Sequence, residues 1–277
     1  MKLFNRVAIV GVGLIGGSIG LAIKKRRLAR EVIGISRHRK TINLAIKRGA
    51  IDWGSLDIQA VSRADLVILA APVNSIIKIG IKINSIVHPK TLITDVGSVK
   101  ESIVKILQKA LPNFVGTHPL MGTEKQGVIN AQEDLFQGSL CVLTPTKKTP
   151  KEALRIIRRL WIELGARIVY LSPARHDKLI SYVSHLPHMI AFSLLQSVPH
   201  NSLYLASRGL KDTTRIAASP ETLWKDILLS NSKNILAAID KFLSSLSKTK
   251  TAIIKKDEKE LEKILRQARL KRQALQS

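Results

Sequence analysis

Over the first 170 residues, short apolar runs alternate with stretches of helical spacing. The runs Val7–Val10, Val32–Ser36, Leu66–Ala70, Leu92–Asp95, Phe114–Gly116, Leu140–Leu143 and Arg167–Leu171 predict strands. Between them, apolar positions recur at helical intervals near 15–27, 41–48, 75–86, 99–110 and 150–164. A helix between successive strands supplies the crossover that parallel pairing needs. The pattern therefore predicts a mainly parallel sheet with helices on both faces. After Ser172-Pro173 the strand pattern stops. Residues 174–198, 200–217, 220–246 and 250–275 read as helical, broken at Pro199, in the 207–220 segment and in a turn over Ser244–Lys250. The last stretch places Ile254, Leu261, Ile264, Leu265 and Ala268 on one face, with charges opposite. This predicts a second, all-helical domain whose apolar stripe is a candidate dimer interface.

The first strand runs into Gly11-Val-Gly13-Leu14-Ile15-Gly16, a G-x-G-x-x-G spacing, and an apolar helical pattern follows through Ile23. The first glycine of such a motif permits a tight turn. The second lets backbone approach a pyrophosphate, and the third lets helix pack on strand. The free N–H groups of the helix start, at Leu14 and Ile15, then face the phosphates. The context of strand, glycines and helix predicts a Rossmann-type nucleotide-binding domain. About 20 residues beyond Gly16, where a carboxylate usually receives the ribose 2′-hydroxyl, stands Ser36, followed by Arg37, His38, Arg39 and Lys40. A serine beside cations suits a 2′-phosphate, which arginine grips in a charge-assisted pair. Thr41 is placed to cap the next helix beside that phosphate. NADP is favoured, with NAD as the alternative.

Composition narrows the classes. Lys2 and Arg6 before the apolar stretch Val7–Ile23 raise a signal peptide or a membrane span. Five glycines in that stretch and the lack of an A-x-A-like cleavage site count against both. A single cysteine, Cys141, excludes an intramolecular disulfide and points to a reducing cytoplasm. The net charge is +25, from 45 Lys and Arg against 20 Asp and Glu, spread along the whole chain, while aromatics are only 4%. Such a distribution argues against a nucleic-acid surface. It reads as solvated faces with a general attraction for anionic ligands.

Candidate chemistry sits at strand ends, where α/β sheets bind their ligands. Ser98 follows the Leu92–Asp95 strand, and Ser98-x-x-Glu101 also fits a capping box for the next helix. His118, in Gly-Thr-His-Pro-Leu-Met-Gly, is expected to end the next strand on the same edge. In the helical half, His185 and His188 lie three apart in Ser184-His-Leu-Pro-His188, without a third ligand at metal-site spacing. Arg215, in Asp212-Thr-Thr-Arg215, is suited to clamp a carboxylate.

Six segments resemble the prephenate/arogenate dehydrogenase family of tyrosine biosynthesis. They are Gly11–Ser18, Asp95–Lys100, Gly116–Thr123, Ser184–His188, Asp212–Arg215 and Pro220–Trp224, in the same order and across both halves. The resemblance implies oxidative decarboxylation of a cyclohexadienyl diacid, with hydride passing to the nicotinamide and no metal. It implies His118 as the group that polarises or deprotonates the 4-hydroxyl, and Ser98 as its orienting partner. It assigns Thr123, Ser184, His188 and Arg215 to the substrate. His188 tips the substrate toward prephenate, and the Ser36-Arg37 pair, similar to NADP-using arogenate enzymes, keeps arogenate as the alternative. A β-hydroxyacid dehydrogenase shares the layout but needs a catalytic lysine in its helical domain. The expected division is 1–171 for NADP and 172–277 for substrate and homodimer contact. It leaves no room for a regulatory domain after the helices. No nucleic acid or membrane partner is expected.

Overall fold

The computed structural model describes residues 2–121 and 125–275. Six parallel strands form one sheet in the order β3-β2-β1-β4-β5-β6: β1 (Phe4–Val10), β2 (Ala29–Ile35), β3 (Trp53–Ser55), β4 (Leu66–Leu69), β5 (Leu92–Asp95) and β6 (Phe114–Val115). Helices α1 (Leu14–Lys25), α2 (Arg39–Lys47), α3 (Val73–Ile83) and α4 (Glu101–Ala110) connect them. This is the α/β, Rossmann-type half that the alternation predicts.

Side chains alternate faces along a strand, so each central strand feeds two cores. Val7 and Ile9 of β1, with Leu66 and Ile68 of β4, enter one; Ala8 and Val10, with Val67 and Leu69, enter the other. All eight are at most 5% exposed, which is why these strands read as continuous apolar runs rather than alternating ones.

One strand, β3, is absent from the sequence reading, and one strand expectation needs correction. β3 has no apolar run of its own, and its pairing to β2 defines it. The Phe114–Gly116 run is not followed by a continuous strand into His118. The chain leaves the six-stranded sheet at Gly116, where a Cβ would come within 2.6 Å of Thr144 Oγ1 and 2.7 Å of Val104 Cγ2. It then enters a second sheet as β7 (Thr117–Leu120), antiparallel to β8 (Leu140–Leu143), which pairs in parallel with β9 (Arg167–Tyr170). His118 is thus the second residue of β7, not the end of a strand in the main sheet. Helix α5 (Lys151–Glu163) joins β8 to β9.

No strand follows β9 among the described residues. Helix α6 (Pro173–Ile180) passes through a π-helical turn, Ser181–His185, into α7 (Leu186–Ser197), then α8 (Arg208–Thr214) and α9 (Glu221–Ser230). Trp224 and Ile227 of α9 complete the second core of the sheet, with Phe192 of α7 packed against it. One compact unit accordingly runs from the N-terminus to Asn231, and a second begins at Ser232.

The second unit is a pair of helices, α10 (Ser232–Ile254) and α11 (Glu258–Gln273). The turn expected over Ser244–Lys250 is absent; α10 runs straight through it. That tract holds neither glycine nor proline, and its hydroxyls turn back onto the helix: Thr249 Oγ1 donates to Ser245 O at 3.3 Å and Thr251 Oγ1 to Ser247 O at 2.9 Å. The break falls at Lys256, with φ 52°, and Asp257, which accepts the Glu260 N–H at 3.0 Å. Ile254 therefore ends α10 instead of joining the stripe of α11. Leu236, Leu243, Leu246, Ile253, Ile254, Leu265 and Leu270 are all exposed within this unit.

Candidate active site

The glycine turn closes the carboxyl end of β1. Gly11 has φ +99°, and a Cβ there would lie 2.2 Å from Ala70 O; a Cβ on Gly16 would lie 2.0 Å from Gly11 O. Both are backbone contacts that cannot yield. Gly13, the N-cap of α1, meets nothing within 4 Å of its ideal Cβ. A cradle that is closed at Gly11 and Gly16 and open at Gly13, with the N-terminal N–H groups of α1 behind it, fits a dinucleotide pyrophosphate.

Ser36 follows β2 on the adjacent edge, since the Gly11 N–H donates to Ile35 O at 2.8 Å. Ser36 Oγ accepts the His38 N–H at 3.3 Å, and Arg37 is exposed beside it. The expected Thr41 cap is not made. Helix α2 begins at Arg39 with His38 at its N-cap, and Thr41 lies inside the first turn, its N–H bonded to His38 O. The N-cap falls three residues earlier than Thr41 because Arg39 and Lys40 are good helix formers and already take up the first turn.

The capping box at Ser98 is also replaced. Helix α4 starts at Glu101, and its N-terminal donors are met by a side chain from far along the chain. Asp177 of α6 accepts the Lys100 N–H at 2.7 Å and the Glu101 N–H at 2.9 Å. A tertiary carboxylate occupies the position that a local serine would have taken, which leaves the half-buried Ser98 in the loop between β5 and α4.

That loop is clamped to β7 by a fully buried ion pair, Asp95 with Lys100. Lys100 Nζ also donates to Thr117 O at 2.9 Å, and Asp95 Oδ1 accepts the Thr117 N–H at 3.2 Å. Burial pushes the Asp95 carboxyl up and the Lys100 amine down, each opposed by the other's charge. Losing either partner would strand a charge in the core. Thr117 precedes His118, so this pair fixes the loop of Ser98 against the strand of His118.

His118 is 9% exposed. Burial, reinforced by the charges of His176, Lys100 and His185, holds its imidazole well below the usual range. Its Nδ1 lies 2.8 Å from His176 Nε2, and His176 Nδ1 lies 2.7 Å from Asp177 Oδ1. Neither His176 nor Asp177 is among the residues that the sequence singles out. The adjacent pair in Ala-Arg-His-Asp-Lys, at the start of the helical half, is the signal that finds them.

The π-helical turn carries Ser184 and sets the register of the histidines after it; such turns concentrate at functional sites. His188 Nδ1 donates to Ser184 O at 2.9 Å, and its ring stacks on Trp224 with centroids 3.6 Å apart. Burial lowers the His188 imidazole, and the nearby Arg215 charge adds to this. Arg215 opens a 3-10 turn, Arg215–Ala218, that packs against α7. His185 is buried, edge-on to Trp224, with Nδ1 3.2 Å from Asn231 Nδ2 and Nε2 without a partner. Burial lowers its pKa to about 4.

The structure thus pairs His118 with His176 and sets His185 and His188 against Trp224, with Ser184 bonded to His188, the Arg215 charge near His188, and the Ser98 loop tied to β7. Thr123 lies outside the described residues. No helix of the described residues is long and apolar enough to cross a membrane.

Residues 19–170 match the family described as prephenate dehydrogenase, nucleotide-binding domain, and residues 172–267 match prephenate dehydrogenase, dimerization domain. The prephenate dehydrogenase of Bacillus subtilis is 37% identical over 93% of this chain and 72% of its own length. The crystal structure of prephenate dehydrogenase from A. aeolicus with hydroxyphenyl propionate and NAD+ superposes with a TM-score of 0.93, at 37% identity over 98% of both chains. The arogenate dehydrogenase of Synechocystis gives 0.84 at 30% identity, over 98% of this chain and 99% of that one. On these matches, which together cover most of its length, the chain belongs to the prephenate dehydrogenase family.

Proposed function

We propose that the chain converts prephenate to 4-hydroxyphenylpyruvate and carbon dioxide with a nicotinamide dinucleotide, NADP in preference to NAD. The observation that carries this reading is His118: a buried imidazole held neutral, bonded to His176 and carried on the strand that is tied to the Ser98 loop. A neutral imidazole is the form that accepts a proton.

The cofactor supplies the hydride acceptor. Gly11, Gly13, Leu14, Ile15 and Gly16 would hold its pyrophosphate. Ser36 and Arg37 would meet a 2′-phosphate, with Thr41 near it in the first turn of α2. His118 takes the proton of the ring 4-hydroxyl as the ring is oxidised, and Ser98 orients that hydroxyl. Arg215 pairs with a carboxylate through its fork of N–H groups. Ser184, His188 and Thr123 complete the substrate site. Decarboxylation aromatises the ring and drives the reaction forward.

Residues 1–171 form the cofactor domain and 172–277 the substrate and dimerisation domain in this reading. The exposed leucines and isoleucines of α10 and α11 support a homodimer, as does the description of the family matched there. The buried, unpaired Cys141 suits a reducing cytoplasm.

The Ser36-Arg37 pair and the likeness to an arogenate dehydrogenase support a second reading, in which arogenate is oxidised to tyrosine. The two substrates differ only in a pyruvyl or alanyl side chain, so one or two polar contacts set the preference. Prephenate and arogenate, each assayed with NAD and NADP, decide both questions. The expected order puts prephenate with NADP first in kcat/KM. Turnover of arogenate alone would replace the substrate, and a wide preference for NAD would remove the 2′-phosphate assignment.

A further inference from the structure

We propose that His176 and Asp177 are positioning residues that fix the tautomer of His118, keeping its proton on Nδ1 and its lone pair on Nε2. This rests on the reading of His118 as the acceptor of the hydroxyl proton.

The proton positions follow from the chain of contacts. Asp177 Oδ1 accepts the Lys100 N–H at 2.7 Å and lies 2.7 Å from His176 Nδ1. A carboxylate oxygen only accepts, so His176 Nδ1 carries a proton. Burial lowers the His176 imidazole, against the pull of the Asp177 charge, and the Lys100 charge opposes a second proton. His176 therefore holds one proton, and its Nε2 is a lone pair. That Nε2 sits 2.8 Å from His118 Nδ1. Two lone pairs do not face each other at hydrogen-bond distance, so His118 Nδ1 is the donor. His118 is itself neutral, and its Nε2 is left bare.

The arrangement is rigid. The side chains of His176 and Asp177 are 0% and 2% exposed. Asp177 is held in turn by both N–H groups at the start of α4, and its carbonyl accepts the Asn231 amide at 2.8 Å. In the reaction the substrate O–H bond breaks and an Nε2–H bond forms on His118, while the electron pair of the O–H bond stays on oxygen. The imidazolium so formed keeps its Nδ1 proton and hydrogen-bonds through it to His176 Nε2, and the far side of His176 is anchored by the carboxylate. An acidic residue that holds a catalytic imidazole in the right tautomer and stabilises its charged form is a known device; here a second imidazole stands between the two.

The test has two parts. The first uses the whole protein without substrate, labelled with nitrogen-15 in histidine and observed at about pH 8, above the ordinary imidazole range. His118 is assigned by its loss in His118→Asn. The expected spectrum shows a protonated Nδ1 and a bare Nε2, and a proton on Nε2 would overturn the proposal. The second part compares His176→Phe with His176→Gln, whose carbonyl can replace Nε2 as acceptor. His176→Phe is expected to lower kcat about 10- to 100-fold with KM little changed, and His176→Gln to recover most of it. Equal kcat in His176→Phe and the unmodified protein would overturn the proposal. Should the spectrum show Nδ1–H in a protein that oxidises neither prephenate nor arogenate, the positioning stands and the proposed function falls.

Discussion

The glycine turn after β1 and the histidine cluster beside it are built in opposite ways. Six consecutive residues make the turn, and its chemistry is backbone: N–H groups at the start of α1 and an open face at Gly13. The cluster is assembled from the β5–α4 loop, β7, α6, the π-helical turn, α7 and α9, and its chemistry is that of side chains stripped of water. A backbone site needs only the right φ and the absence of a Cβ. A side-chain site needs its groups desolvated and linked in fixed order, so every packed element around it contributes.

Acid separates the two regions most strongly, since the Gly11–Gly16 turn has no titrating side chain. His185, His118 and His176 all have imidazoles lowered by burial. The unfolded chain therefore binds more protons than the folded one as pH falls below the ordinary imidazole value. Stability from this source is full above about pH 6.5 and declines below it. For His185, lowered from 6.5 to about 4, the loss is about 3 kcal/mol on reaching pH 4. Denaturant melts stepped from pH 7 to 4 check this; a level stability across that window would break the comparison.

At the cluster, His118→Asn is expected to lower kcat about 100-fold or more and leave cofactor affinity nearly intact. Steady-state kinetics beside a cofactor titration measure both, and an unchanged kcat would remove His118 from the reaction. Arg215→Ala is expected to raise KM for the diacid by about 30-fold, or ~2 kcal/mol, with a smaller change in kcat. A normal KM would make Arg215 a surface cation. On the backbone side, Arg37→Ala is expected to weaken NADP about 10-fold and leave NAD unchanged, the smallest of these effects because Arg37 is exposed. Equal weakening of both cofactors in fluorescence titrations would show that Arg37 does not read the 2′ position.

The same contrast explains what could be read from residues alone. The paired-core strands, the glycine turn and the change to helices after Ser172 are local patterns, and all were legible. Motif resemblance pointed to His118, Ser184, His188 and Arg215. Structure departs from local pattern where a distant group intervenes or a local signal is neutralised. Ser98 looked like the cap of α4, but Asp177 reaches that helix end across 77 positions. The Ser and Thr tract of α10 looked like a turn, but its hydroxyls bond within the helix. His176 and Asp177 carry only their adjacency as a mark, and their meeting with His118 and α4 depends on packing.

The alternation of the main strands and helices and the glycine turn are already written in the chain. These depend on hydrophobic period and on the missing Cβ, both properties of contiguous residues. Which imidazoles meet, which carboxylate caps α4 and which charges are buried emerge with the packing of distant segments. Those depend on desolvation and on hydrogen bonds between segments that are distant in the chain, and neither leaves a local mark. The α/β framework could be read along the chain; the electrostatic state of its histidines exists only once α6, α7 and α9 are packed on the sheet.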